Sequence, residues 1–94
     1  MNDTHLIQFL LRLRQRQREV LELVCAGLSN EEIGARLYIA SSSVADHLST
    51  IYAELGTEEA FADRRINRAV LISVFAPFFA RHPELHSRSA GSHP

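Results

Sequence analysis

The chain contains no lysine. Its ten basic residues are all arginine, and against eleven carboxylates they leave a net charge of −1 over 94 residues. A domain dedicated to nucleic acid ordinarily carries a basic surplus, because neutralising phosphates supplies most of its affinity. Here any such affinity has to come from local clustering of arginines. A single cysteine, Cys25, excludes an internal disulfide and suits a reducing cytoplasm. Beside Val24 it reads as a small buried hydrophobe. No apolar run is long enough to span a bilayer, and Gln8 and Arg12 interrupt the stretch from Leu6 to Leu13, so it is not a leader core. There is no glycine-rich phosphate loop, no metal-ligand constellation and no nucleophile–base arrangement at recognisable spacing, which argues against an enzyme or a bound cofactor. His82 and His86 stand four apart, but Pro83 lies between them and no third ligand is near, so no metal site is expected.

What is present is helical punctuation. Apolar residues make up 46% of the chain and charged ones 22%, an ordinary globular balance. The length allows one small domain, for which pairing with a second copy would help bury enough apolar surface. Ser29 and Glu32 form a capping-box pattern that opens a helix over about 30–38, with Ile33 and Leu37 on one face. Ile39 and Ala40 then make a turn, and the hydroxyls of Ser41 to Ser43 can cap a second helix over about 42–55. That helix carries Val44, Leu48, Ile51 and Leu55 on one stripe and meets Gly56, a residue suited to a left-handed turn. Two short amphipathic helices joined in this way suit a helix-turn-helix.

The flanks are also helical in pattern. From a cap at Asn2 or Asp3, Leu6, Leu10, Leu13, Gln17, Val20 or Leu21, and Val24 recur at three-four spacing, and Gly27 stops them. Nothing interrupts this pattern, which predicts one continuous helix over about 4–26. Arg12, Arg14, Arg16 and Arg18 spread around it as a solvated face, with Glu19 and Glu22 as salt partners. Downstream, Thr57 to Ala62 is either a short helical turn or a longer loop, with Thr57 and Asp63 as plausible caps. From Arg64 to about Ala80 the chain is apolar nearly all round, with Pro77 placed to kink or end the helix. A helix apolar on every side needs cover on every side. The reading is therefore a single all-α domain over 1–81, with helices near 4–26, 30–38, 42–55 and 64–80 and a disordered polar tail over 82–94.

Arg18-Glu19-Val20-Leu21, Gly27-Leu28-Ser29-Asn30, Glu32-Ile33, Leu37, Ser43-Val44, His47, Ile51-Tyr52 and Leu55-Gly56 keep one register without a gap from about Leu13 to Gly56. In that register the chain resembles the LuxR/GerE-type helix-turn-helix domain of bacterial transcription regulators. The resemblance implies a four-helix domain, here with an extended first helix and a long apolar last helix. It also implies that the helix over 42–55 enters the major groove. Position by position, Ser43, Ala45, Asp46, Ser49 and Thr50 then face the bases, and Ser41, Ser42 and Tyr52 face phosphates. The last helix commonly mediates dimerisation in the family, which implies a homodimer through Leu6, Leu10, Val70, Val74, Phe75 and Phe78.

The sequence departs from the family where it matters most. Lysine is usual at the position of Ala45 and a basic residue is common near Ser49 and Glu54, yet from Ser41 to Gly56 there is no arginine or lysine. Asp46 can accept from cytosine N4, but a carboxylate among phosphates adds repulsion. Two readings follow. In one, the chain is a small stand-alone cytoplasmic regulator that binds double-stranded DNA as a homodimer, with Arg36, Arg64, Arg65, Arg68 and arginines of the first helix supplying phosphate contacts. In the other, it is a weakly binding or non-binding relative that acts as a protein-interaction module on another transcription regulator.

Overall fold

The computed structural model describes residues 1–85 and is helical throughout. Its elements are α1 (Asp3–Arg12), α2 (Gln15–Cys25), α3 (Asn30–Leu37), α4 (Ser41–Gly56), a 3₁₀ turn (Glu59–Phe61), α5 (Arg68–Arg81) and a second 3₁₀ turn (Pro83–Leu85). Of the tail expected over 82–94, His82 caps α5 and Pro83–Leu85 form a 3₁₀ turn, while the rest, His86 included, lies outside the described residues.

The expected continuous first helix is two helices. Leu13 and Arg14 are both extended, with ψ of 150° and 157°. The break is held by side chains rather than by proline or glycine. Arg18 Nη1 donates to the carbonyl of Leu13 (2.6 Å) and to that of Leu10 (3.3 Å), which also accepts from the Leu13 amide at 3.1 Å. Gln17 Oε1 accepts from the Arg14 amide at 2.9 Å and so serves the N-terminus of α2. Leu13 itself is buried, so the break lies against the core.

The break also sets α1 against α5. The Phe9 ring lies 5.6 Å from that of Phe75, which in turn meets Phe78 and Phe79. Leu6, Leu10, Phe75 and Phe78, expected to face a second copy, are instead buried within the chain. The apolar surplus at the C-terminal end of the described residues is thus buried chiefly against α2, with the Phe9–Phe75 contact joining it to α1. α5 begins not at Arg64 but at Arg68, where Asn67 Oδ1 accepts from the Val70 amide at 3.0 Å. It runs straight through Pro77. The missing amide there would have bonded the Ser73 carbonyl, and both residues face solvent, so water can serve that carbonyl.

An ion-pair clamp closes the α1–α5 contact. Arg81 Nη2 donates to Asp3 Oδ1 at 2.7 Å, and His82 Nε2 lies 2.7 Å from Asp3 Oδ2. These bonds, Arg81 first, hold the Asp3 carboxyl down at about 2, and Asp3 followed by Glu84 raises His82 above its usual 6.5. Asp3, depressed on folding, stabilises above its ordinary 3.8 and loses that contribution as pH falls towards 2. His82, raised on folding, stabilises below 6.5 and loses its contribution as pH rises through its folded value. Asp3→Asn is therefore expected to lower Tm most between about pH 4 and 6.5, and progressively less on either side. Thermal melts of both proteins across that range check this.

The central helices follow the pattern read above. The box is made in full: Ser29 Oγ accepts from the Glu32 amide at 3.1 Å and Glu32 Oε1 from the Ser29 amide at 2.8 Å. Gly27, at φ +94°, ends α2, and the Leu28 amide reaches back to the Leu23 carbonyl. Gly34 permits the α3–α4 turn, because a Cβ there would lie 2.6 Å from the Ile39 carbonyl oxygen. Gly56, expected in a left-handed turn, is the last residue of α4. Thr57 ends the helix, its hydroxyl donating to the Glu54 carbonyl at 2.7 Å. The left-handed position falls instead on Tyr38, which caps α3 at φ 61°, ψ 42°. An L side chain there costs about 1–2 kcal/mol that glycine avoids. Tyr38→Gly is accordingly expected to raise stability by roughly 1 kcal/mol, offset in part by the greater freedom of the unfolded glycine; urea denaturation measures it.

Candidate nucleic-acid interface

α4 is fixed by its back. Val44, Ile51 and Leu55 are fully buried and Leu48 nearly so, against α2 and α3. The opposite face is open: Ser41, Ser42, Ala45, Asp46, Ser49 and Thr50 are exposed. Ser43 is half-buried, and Tyr52 is half-buried against the core, which leaves its ring partly available at the edge of that face. The Thr50 hydroxyl turns back onto the Asp46 carbonyl at 3.3 Å. At the start of α4 the cap residue is Ala40, not one of the serines expected to cap it, because Ser41 to Ser43 already lie within the helix; the methyl of Ala40 cannot accept from the first amides.

Several arginines are engaged elsewhere in the chain. Arg12 spans to the far end of α4, donating to Glu58 at 2.6 Å and to Glu54 at 3.4 Å, which draws both carboxylates to the α1 side. Arg16 pairs with the buried carboxylate of Glu19 at 3.0 Å, and Arg18 serves the end of α1. Arg68 donates to the Leu28 carbonyl and to Asn30 Oδ1, tying α5 to the start of α3. Arg64 lies over the Phe61 ring at 5.1 Å, and Arg65 is exposed beside it on the loop that follows the first 3₁₀ turn. Arg36 is exposed near the end of α3, on a surface formed with α2. The burial of Cys25, and next the charge of Glu22, push its thiol up to about 12, so it stays protonated at neutral pH.

The family described as bacterial regulatory proteins, luxR family, matches residues 12–61, just over half of the chain and all of α2, α3 and α4. The chain belongs to the luxR family. Its core is thus a luxR-type helix-turn-helix domain of transcription regulators, with α3 and α4 as the two helices of the motif. Similar proteins include "Putative HTH-type transcriptional regulator YhjB" of Escherichia coli, 45% identical over 49 residues, which are 52% of this chain and 24% of that protein. Another is "Putative HTH-type transcriptional regulator Rv0890c" of Mycobacterium tuberculosis, 45% identical over 40 residues, 43% of this chain and 4% of that protein. The chain therefore spans a small part of the length of these relatives. No solved structure matches it. No described helix is long and apolar enough to cross a membrane.

The luxR match covers the helix-turn-helix and leaves nearly all of α1 and the whole of α5 outside it. α5 packs chiefly on α2, inside the matched span, and meets α1 through the Phe9–Phe75 contact and the Asp3–Arg81 pair. Of the α4 residues expected at DNA, Ser43 and Tyr52 are half-buried and the rest exposed, while the bonds that occupy Arg12, Arg18 and Arg68 have no signature in local spacing. The signal for Arg12 was Glu54 and Glu58, one helical turn apart and more than 40 positions away, a distance that no periodicity spans.

Proposed function

We propose that this luxR-family domain reads double-stranded DNA through α4, as a homodimer that places one copy of α4 in the major groove of each half-site. The observation that carries the reading is the division of α4 into a buried apolar back and an exposed face of short polar side chains. Serine hydroxyls on such a face can bond either donors or acceptors on base edges, the Ala45 methyl suits the thymine methyl, and Asp46 suits cytosine N4. Ser41 and Ser42, at an end of the helix whose amides have no side-chain cap, together with Tyr52, Arg64 and Arg65, are the proposed phosphate contacts. Selection from a randomised duplex pool tests it. A common half-site should be enriched, and Ser49→Glu should abolish the enrichment while leaving the protein folded. Enrichment that survives Ser49→Glu would remove α4 from the groove.

A second reading has its own observation. Arg12, Arg16, Arg18, Arg68 and Arg81 are all engaged within the chain, and the one charge on the exposed α4 face is the carboxylate of Asp46. An electrostatically poor DNA reader of this kind could serve as an interaction module on another regulator in the cytoplasm.

The dimer contact proposed here is narrower than the sequence pattern suggested. Leu6, Leu10, Phe75 and Phe78 are already buried, which leaves the outward side of α5 around Val70 and Val74, with Ala69 and Pro77 exposed beside them. No charge occurs from Ala69 to Ala80, and Ser73 turns its hydroxyl onto the Val70 carbonyl at 2.9 Å. A strip without charge or free hydroxyl suits an isologous helix–helix contact. Val74→Glu is expected to weaken association at least tenfold, since each copy would bury an unpaired carboxylate. Sedimentation equilibrium of the two proteins reads this out, and an unchanged mass would move the contact elsewhere.

A further inference from the structure

The surface between α2 and α3 has no part in the DNA reading. A cleft of about 460 Å³ opens there, lined by Gln15, Arg16, Glu19, Arg36, Leu37 and Tyr38. A second, of about 560 Å³, runs along the other side of Tyr38 past Leu28, Glu32 and Ala35. Residues of α4 line neither, so this surface is separate from the proposed groove face. Between the two clefts stands Tyr38, a large aromatic that is 93% exposed, on the left-handed backbone that glycine would occupy at less cost. Beside it Arg36 lines both clefts and has no ion-pair partner among the described residues.

The charges around Tyr38 select the occupant. Arg16 is already neutralised by Glu19, whose carboxylate is nearly fully buried at the edge of the first cleft. Glu31 and Glu32 are exposed on the first turn of α3. A DNA backbone, which presents a phosphate every few ångströms along each strand, would meet one open cation and several carboxylates here. A protein segment offering a single carboxylate next to an apolar side chain meets a better match. The carboxylate can take the guanidinium of Arg36 in a two-bond contact, and the apolar side chain can lie along Tyr38 over Leu37. Tyrosine and arginine are also the residue types that most often anchor protein–protein contacts. We propose that Arg36 and Tyr38 form a docking site for a partner protein, which presents a segment with one carboxylate beside an apolar side chain. The clefts hold a few side chains rather than a domain face, so the contact is a short-segment one of modest affinity.

The test titrates the isotope-labelled full chain with two pools of capped octapeptides and follows the backbone amide shifts. One pool carries a fixed glutamate–leucine pair and the other a glutamine–leucine pair, with small neutral residues elsewhere. The glutamate pool should shift the amides from Arg36 to Ile39 at peptide concentrations up to about 1 mM. The glutamine pool, and the variants Arg36→Gln and Tyr38→Gly with the glutamate pool, should each bind about fivefold more weakly or worse, the loss of one charge-assisted bond or one aromatic contact. Tyr38→Gly relieves the left-handed strain, so its loss of binding would not be a loss of fold, and its melting curve verifies that. Equal shifts with both pools, shifts centred away from the turn, or no shifts at all would overturn the proposal. So would a matching loss of duplex DNA binding in Arg36→Gln and Tyr38→Gly, which would make this surface a phosphate contact.

Discussion

Phe75→Ala should lower the stability of the domain by about 3–5 kcal/mol. The Phe75 ring is fully buried and touches Phe9 from α1 and Phe78 and Phe79 from its own helix, with ring centroids 5.6–6.3 Å apart. Truncation removes the transfer free energy of the ring and leaves a void that the surrounding side chains can only partly close. A domain of this length has roughly 5–14 kcal/mol in all, so the variant should melt at least about 15 °C lower. Leu11→Ala is the matched control. Leu11 is 75% exposed on the outer side of α1, and its loss should stay within about 0.5 kcal/mol. A small effect of Phe75→Ala would mean that the Phe75 ring does not sit in a core shared by α1 and α5.

The second large effect concerns charge on α4. Ala45→Lys is expected to raise DNA affinity roughly tenfold at 0.1 M salt, the value of one added phosphate contact, and to steepen the salt dependence by about 0.9 per chain. Asp46→Lys should do at least as well, because it also removes a carboxylate from the same face. Asp46→Asn separates the two contributions: it removes the repulsion without adding a contact, so it should gain less than either lysine. Fluorescence anisotropy with a fixed duplex over a salt series measures all three. Both sites are exposed and lie on the side of α4 opposite Val44, Leu48, Ile51 and Leu55, so the changes leave the core untouched. No gain from any of them would mean that this face does not meet DNA.

The parts of the fold legible in the sequence are those written in local rules. Ser29 with Glu32, Gly27 after Val24, and the stripe Val44, Leu48, Ile51, Leu55 each act within one or two turns, and each appears in the structure where the spacing puts it. The parts that were not legible depend on contacts distant in sequence or on unusual residues in ordinary roles. The break at Leu13 and Arg14 uses an arginine guanidinium and a glutamine amide as caps, which a search for serine, aspartate or proline passes over. The apolar faces of the first and last helices were both read correctly as needing cover. Periodicity does not say whether that cover comes from a second copy or from the same chain; the packing of α5 on α2 and the meeting of Phe9 with Phe75, 66 positions away, supply part of it within the chain. For the candidate interface, the resemblance placed α4 and the absence of basic residues on it was plain. The fate of the arginines was not, because their ion pairs join positions such as Arg12 and Glu58, or Asp3 and Arg81, that only the fold brings together.

The central claim is that a helix without basic residues still reads DNA, with few phosphate contacts to assist it. The most direct measurement is the salt dependence of binding to a duplex recovered by selection. With Arg64 and Arg65 as the cationic contacts of each chain, the slope of log K against log salt should be shallow, roughly −2 per chain or −4 per dimer. Preference for the selected site over a scrambled duplex should persist as salt rises, since base contacts on α4 carry it. Absence of binding at low salt from a folded helical protein would contradict the account, and would leave the luxR scaffold here as a surface for holding another protein.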